Sequence, residues 1–235
     1  MNLSIFVPGH SVVRMPDGSF QPSGLYQDIM YPTPGKSFPF RRTGIWNPEP
    51  DPDASTAYLG GGEVVVEASV ALYRQLAQPA TAVALHMLGG RADYLEAAAS
   101  GTGAIDEAVV MKEMALRSLE GASIGTFRLT RTTEDDIGAV LKDVHETRPD
   151  RAFVVMMTFR IARAEAIAQK LVIEQPALEG ALASTVFCPA EHYVPRPGEY
   201  ERMMSSAAYA RTMANERFGI RRMLLGERAT TGGQT

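Results

Sequence analysis

Glu107, His10 and Arg160 are the residues whose types and positions could carry a reaction. Glu107 stands at the start of a helical pattern, where a carboxylate can act as a base, a hydroxyl acceptor or a metal ligand. His10 follows an apolar strand pattern and is the second acid/base candidate, with Ser11 beside it. Arg160 follows another strand, and with Arg91 and Arg163 it gives three guanidinium groups suited to bidentate recognition of phosphate or carboxylate. Gly89-Gly90 could bring backbone N–H groups close to an anion; the bland alternative is a tight strand-to-helix turn, and the same two readings hold for Gly60-Gly61-Gly62. Asp106 and Glu107 would also be favoured by the helix dipole alone, worth roughly 0.3–1 kcal/mol. In Thr132-Thr133-Glu134-Asp135-Asp136, Thr132 with Asp135 is close to a capping box. Three successive acids exceed what a cap needs, so a divalent cation is conceivable there. Thr158 opens the segment that carries Arg160 and Arg163.

Several established chemistries leave no trace. No Walker pattern and no G-x-G-x-x-G opening a helix is present. There is no His-Glu-x-x-His pair and no G-x-S-x-G elbow. His86 falls inside an apolar strand pattern and reads as a core histidine, His145 as a helix-end cation, and His192 as a residue able to reach a cleft after the fifth strand. Cys188 is the single cysteine, so neither an internal disulfide nor a cysteine-built zinc site can form, which fits a reducing compartment. A net charge of −4 argues against a nucleic-acid partner. No apolar run approaches the roughly 18 residues of a membrane span, and no signal peptide is visible, so a cytoplasmic protein without membrane contact is expected.

The elements that must position these residues are legible from periodicity. Strand patterns cover 3–7, 81–88, 124–129, 152–157 and 184–188. Helical patterns cover 63–78 (Val65, Ala68, Leu72, Leu76), 104–120 (Ala108, Met111, Ala115, Leu119), 133–147 (Ile137, Val140, Leu141, Val144), 161–173 (Ile161, Ala164, Ile167, Leu171) and about 199–218. Strands alternating with helices imply an α/β fold, a three-layer Rossmann-like open sheet, mainly parallel, of about five strands with helices on both faces. In such a sheet every strand-to-helix junction lies at the carboxyl edge, where ligands bind. The chain reads as a single domain over 1–228, with a C-terminal helical extension at 198–226 and a frayed tail at 229–235. Residues 14–62 form a long Pro/Gly-rich insertion whose proline density excludes long helices and central strands. Its Trp46, Tyr26, Tyr31, Phe38 and Phe40 favour a packed cover over a disordered loop, or alternatively a homodimer surface.

The order of these junctions resembles the YdcF/SanA/ElyC family of Rossmann-like bacterial proteins over about residues 58–173. Ala68-Ser-Val-Ala-Leu72-Tyr73 resembles its first helix. Leu88-Gly89-Gly90 resembles its glycine pair, with Leu in place of Ser. Glu107-Ala108-Val-Val-Met111 resembles the acidic helix start. Thr132-Thr-Glu134-Asp135 resembles T-x-E-N, with Asp for Asn. Thr158-Phe-Arg160-Ile-Ala-Arg163-Ala164 resembles the fourth motif, with Arg160 where the family has His. Many relatives look membrane-anchored and tied to envelope polysaccharide or lipid-carrier metabolism, and one is associated with S-adenosylmethionine. The resemblance implies a nucleotide-type ligand, and the His-to-Arg departure implies altered or lost acid–base chemistry.

The expected function is an enzyme binding a nucleotide, nucleotide-sugar or phosphorylated small molecule at the sheet edge, with phosphate hydrolysis or group transfer as the reaction class. Its ligand-binding set would be Ser11, Gly89, Gly90, Arg91, Asp106, Thr132, Glu134, Asp135, Thr158 and Arg163; S-adenosylmethionine or Mg²⁺ would each suit such a site. The alternatives are a non-catalytic ligand-binding or regulatory protein, and an S-adenosylmethionine-dependent transferase. Only Gly9 follows the first strand, which weakens the latter.

Overall fold

A computed structural model describes residues 1–9, 12–14, 19–25, 29–30, 57–90, 105–119, 121–130 and 132–225. His10, Ser11, Arg91, the aromatic residues Tyr26, Tyr31, Phe38, Phe40 and Trp46, the loop 99–103 and the tail 229–235 lie outside them. The chain runs β1 (Asn2–Val7), β2 (Val12–Arg14), β3 (Phe20–Pro22), β4 (Ile29–Met30), β5 (Ala57–Tyr58), α1 (Gly62–Leu76), β6 (Ala82–Leu88), α2 (Glu107–Leu116) and β7 (Ile124–Phe127). It continues through α3 (Thr133–Thr147), β8 (Arg151–Met156), α4 (Thr158–Glu174), α5 (Glu179–Ser184), β9 (Thr185–Pro189), α6 (Glu199–Met204) and α7 (Ala207–Leu224).

Five strands form a parallel sheet in the order β7-β6-β1-β8-β9. Successive side chains on a strand face opposite ways, and the core divides accordingly. Ile5, Val7, Leu85, Met87 and Val155 pack with α1 and α2 on one face. Phe6, Leu88, Val154 and Met156 pack with α3, α4 and α5 on the other. The result is the expected three-layer Rossmann-like α/β fold. β1 is central, and Leu3 to Val7 are buried throughout, as suits a strand covered on both faces. The apolar stripes of α2 and α3 are buried at Ala108, Met111 and Ala115, and at Ile137, Val140, Leu141 and Val144, and Leu119, just beyond α2, is buried too. His86 is stacked on Phe6 with ring centroids 5.0 Å apart, and burial lowers its pKa, in keeping with a core histidine.

Three boundaries differ from the sequence patterns for identifiable reasons. α4 starts at Thr158 rather than 161, because Glu191 reaches from beyond β9 to accept the Thr158 N–H at 3.0 and 3.1 Å. No local cap marks that start. α2 covers only Glu107–Leu116 of the expected 104–120, since Asp106 is extended. The expected helix at 199–218 is two helices, because Ser206 caps a new one by accepting the Tyr209 N–H at 3.1 Å.

Two short antiparallel pairs that periodicity did not mark join this region to the chain: β2, leading into the insertion, pairs with β3 inside it, and β4 pairs with β5. Val12 is buried against Val110 of α2. Ser23 serves α1: its Oγ accepts from Gly61 N at 3.2 Å and Gly62 N at 3.3 Å, and its carbonyl accepts from Glu63 N at 2.9 Å. Gly61 has φ of 121°. The triple glycine is therefore the tight turn into α1, and not an open anion cradle.

Candidate functional site

The strand order places a topological switch point between β1 and β8. From β1 the chain steps outward through α1 and α2 on one face, reaches the edge at β7, and returns under the sheet through α3 to β8. The connections leaving β1 and β8 thus diverge to opposite faces, the arrangement at whose carboxyl ends open α/β sheets bind ligands. Gly9, Gly89, Thr130 and Arg160 all follow strand ends at this edge.

Gly9 is the meeting point. Its N–H donates to Asp136 Oδ2 of α3 at 3.1 Å, and its carbonyl accepts from Arg160 Nη1 of α4 at 2.8 Å. Arg160 Nη2 also donates to Thr133 Oγ1 at 3.4 Å. On the other side of Gly9 stands Glu107, only 8% exposed. A Cβ on Gly9 would lie 2.5 Å from Glu107 Oε2, and one on Gly89 would lie 2.9 Å from the Glu107 Cβ and 3.0 Å from its Oε2. The two glycines at adjacent strand ends thus form a slot for the Glu107 side chain. Gly89 holds φ at +121°, a conformation L side chains rarely adopt.

Asp136 is 5% exposed, and its pKa is pushed up to about 7. Burial is the main cause and the Glu107 charge adds to it, while the Thr130 hydroxyl, the Arg160 guanidinium and the Gly9 N–H oppose the rise. Its Oδ1 is buried and has no hydrogen-bond partner among the described residues. A buried carboxyl beside a second carboxyl favours the neutral acid.

The expected site residues separate into those that converge and those that do not. Glu107 and Arg160 meet at Gly9. Gly89, with Gly9, shapes the slot, and the N–H groups of Gly89 and Gly90 are bonded within the protein. Gly89 N–H bonds Thr130 Oγ1 at 2.9 Å and the Phe127 carbonyl at 3.1 Å, and Gly90 N–H bonds the Thr130 carbonyl at 2.6 Å. Their own carbonyls accept from Ala108 N at 2.8 Å and Glu107 N at 3.3 Å, fixing the start of α2. Asp106 is paired with Arg128. Thr132 and Asp135 form the complete capping box of α3. Glu134 binds Lys170 at 3.0 Å on the surface. The three acids of that motif therefore take three separate directions, so the side chains do not share the cation that was conceivable there. The Thr158 N–H is held by Glu191. Arg163 faces α7, 3.7 Å from Glu216 and packed against Gly219, away from Gly9. His192 is exposed in the turn after β9. Among the described residues no three His, Cys, Asp or Glu side chains stand together as a metal site.

Asp136, Thr130, Thr133 and Gly9 complete the cluster; the sequence marked Asp136 only as one of three successive acids, not as a partner of Glu107. Asp136 had a usable signal: it precedes Ile137 and lies four residues before Val140, so helix phase puts it on the buried stripe. The fold and site define a Rossmann-like α/β protein with two buried carboxyls beside Gly9 at the switch point. The chain matches no family model, no curated protein and no solved structure. No helix among the described residues is long and apolar enough to cross a membrane.

Proposed function

We propose that the protein is an enzyme acting on a nucleotide, nucleotide-sugar or phosphorylated small molecule held at the switch point, by phosphate hydrolysis or group transfer. The convergence of Glu107 and Arg160 on Gly9 is the observation that carries this reading. A carboxylate in a fixed slot beside a guanidinium can take the proton of an attacking hydroxyl or water while the cation faces developing negative charge. The resemblance to the YdcF/SanA/ElyC family supports the acidic helix start, while Arg160 at the fourth motif stands where that family has His, a departure that favours the second reading below. A thermal-shift screen tests the reading, with S-adenosylmethionine, nucleotides, nucleotide-sugars and sugar phosphates, each with and without Mg²⁺. A native-state ligand at a hundredfold over its Kd stabilises by about 2.7 kcal/mol. A hit that is turned over, and whose binding and turnover are lost in Glu107→Gln, is expected. Unchanged binding and turnover in both Glu107→Gln and Arg160→Ala would rule it out.

A second reading, a non-catalytic ligand-binding protein, draws on one feature. Arg160 is tied to the Gly9 carbonyl and Thr133, as a structural arginine would be. Saturable binding of a panel ligand without turnover would favour it.

A further inference from the structure

We infer that Asp136 is a positioning residue for Glu107: the two side chains work as one carboxyl unit across Gly9, Asp136 keeping a proton so that Glu107 stays ionised and oriented as the base. This rests on the reading of Glu107 given above and assigns a role to a residue that the family-like motifs pass over.

Both carboxyls are buried, and both abut Gly9, Asp136 through the Gly9 N–H and Glu107 across the face where a Cβ would sit. Two negative charges so close in a buried setting repel strongly, and the pair relieves this by retaining one proton. Asp136 is the half that keeps it. It is the more deeply buried of the two, and its Oδ1 lacks a partner among the described residues. With no partner at Oδ1, burying the charged carboxylate costs far more than burying the neutral acid. Glu107 sits in the first turn of α2, where the helix dipole favours its negative form. The charged and hydroxyl groups around Asp136 come from each element packed on it: Glu107 from α2, Thr130 after β7, and Arg160 from α4. The Thr130 hydroxyl first, then Arg160 and the Gly9 N–H, partly offset the burial, which holds the proton's release near neutrality and not far above it. In the proposed reaction the substrate proton passes to Glu107, and the Asp136 proton stays in place.

The test is a carboxyl-carbon NMR titration of the full chain labelled at Asp and Glu. One Asp signal is expected to titrate far above the ordinary carboxylate range, and to vanish in Asp136→Asn. In Glu107→Gln its midpoint should fall toward that range, because the neighbouring charge is gone. Reciprocally, Asp136→Asn should move the Glu107 midpoint. An Asp136 midpoint unmoved by Glu107→Gln, or one in the ordinary range, would overturn the inference. If Glu107→Gln does not fold, the reciprocal measurement gives the same decision: a Glu107 midpoint that does not move in Asp136→Asn would overturn the inference, because coupling between two titrating groups acts equally on both. These signals do not depend on any ligand. A coupled titration with no ligand hit would therefore sink the proposed function alone, and an uncoupled one with a hit would sink only the role of Asp136.

Discussion

A buried acid with a raised pKa has a stability signature whose sign is fixed. Asp136 releases its proton at about 7 in the folded chain and at an ordinary carboxylate value, 3.8, when unfolded. Between those values the folded state holds a proton that the unfolded state has lost, so stability falls as pH rises. The contribution is whole below the unfolded value and is lost as pH passes through the folded one. At its steepest the slope is on the order of 1.4 kcal/mol per pH unit for one proton. Asp136→Asn keeps an oxygen to accept the Gly9 N–H and removes the titration. Urea unfolding from pH 4.5 to 8 should show the wild type losing ground steadily to Asp136→Asn as pH rises. Parallel curves would show that Asp136 does not keep its proton. Residue types alone pointed to Glu107 and Arg160 because an acid opening a helix and an arginine closing a strand are visible locally. They pointed equally to Arg163, which faces α7. The direction of a side chain on an amphipathic helix depends on which helix packs beside it. Gly89-Gly90 were also legible as special, but whether their N–H groups face a ligand or the Thr130 turn is decided by the β6–β7 pairing, which no local pattern encodes.

Elements were most legible where their own ends carry the signal. α3 begins at the expected residue because Thr132 and Asp135 satisfy each other's backbone N–H groups, Asp135 N to Thr132 Oγ1 at 3.1 Å and Thr132 N to Asp135 Oδ2 at 3.0 Å. α4 was misplaced by three residues because its N-terminal acceptor, Glu191, comes from 33 positions away. The two ends of α3 make opposite predictions. Thr132→Ala removes the cap and should cost about 1 kcal/mol. At the other end Arg148 is held at φ 49° in the left-handed region, where a Cβ is disfavoured and glycine is the usual residue. Arg148→Gly should therefore stabilise, by up to about 1 kcal/mol after glycine's added chain entropy is counted. Denaturant midpoints at constant m-value check both. A destabilising Arg148→Gly would mean that the arginine side chain contributes more than its backbone conformation costs.

At the scale of the molecule, the question is why a chain whose site lies at one sheet edge carries a long C-terminal helix. α7 touches both the turn before α1 and the first turn of α4. Thr212 Oγ1 accepts the Leu59 N–H at 3.0 Å, tying the turn before α1 to α7. Tyr209 meets Phe159 edge-on, with ring centroids 6.3 Å apart and an interplanar angle of 83°. Phe159 immediately precedes Arg160 in the first turn of α4, so the packing that fixes this turn also fixes the guanidinium at Gly9. The insertion and the C-terminal helices were legible as separate additions, one by its prolines and the other by its helical pattern. Their contact was not, because it joins residues more than 150 positions apart. Aromatic pairs of this geometry contribute about 0.5–1.5 kcal/mol beyond area burial, and Tyr209 is only partly buried. Tyr209→Ala should therefore lower stability by about 1–3 kcal/mol, below the usual loss for a core aromatic. Its second effect should be on the site: with Phe159 unsupported, the Arg160 turn loosens, and the NMR midpoint of Asp136 should rise as the opposing guanidinium withdraws. Tyr209→Phe keeps the ring and should leave that midpoint where it is. A stability loss in Tyr209→Ala with an unmoved midpoint would make α7 a covering helix only, without leverage on the cluster at Gly9.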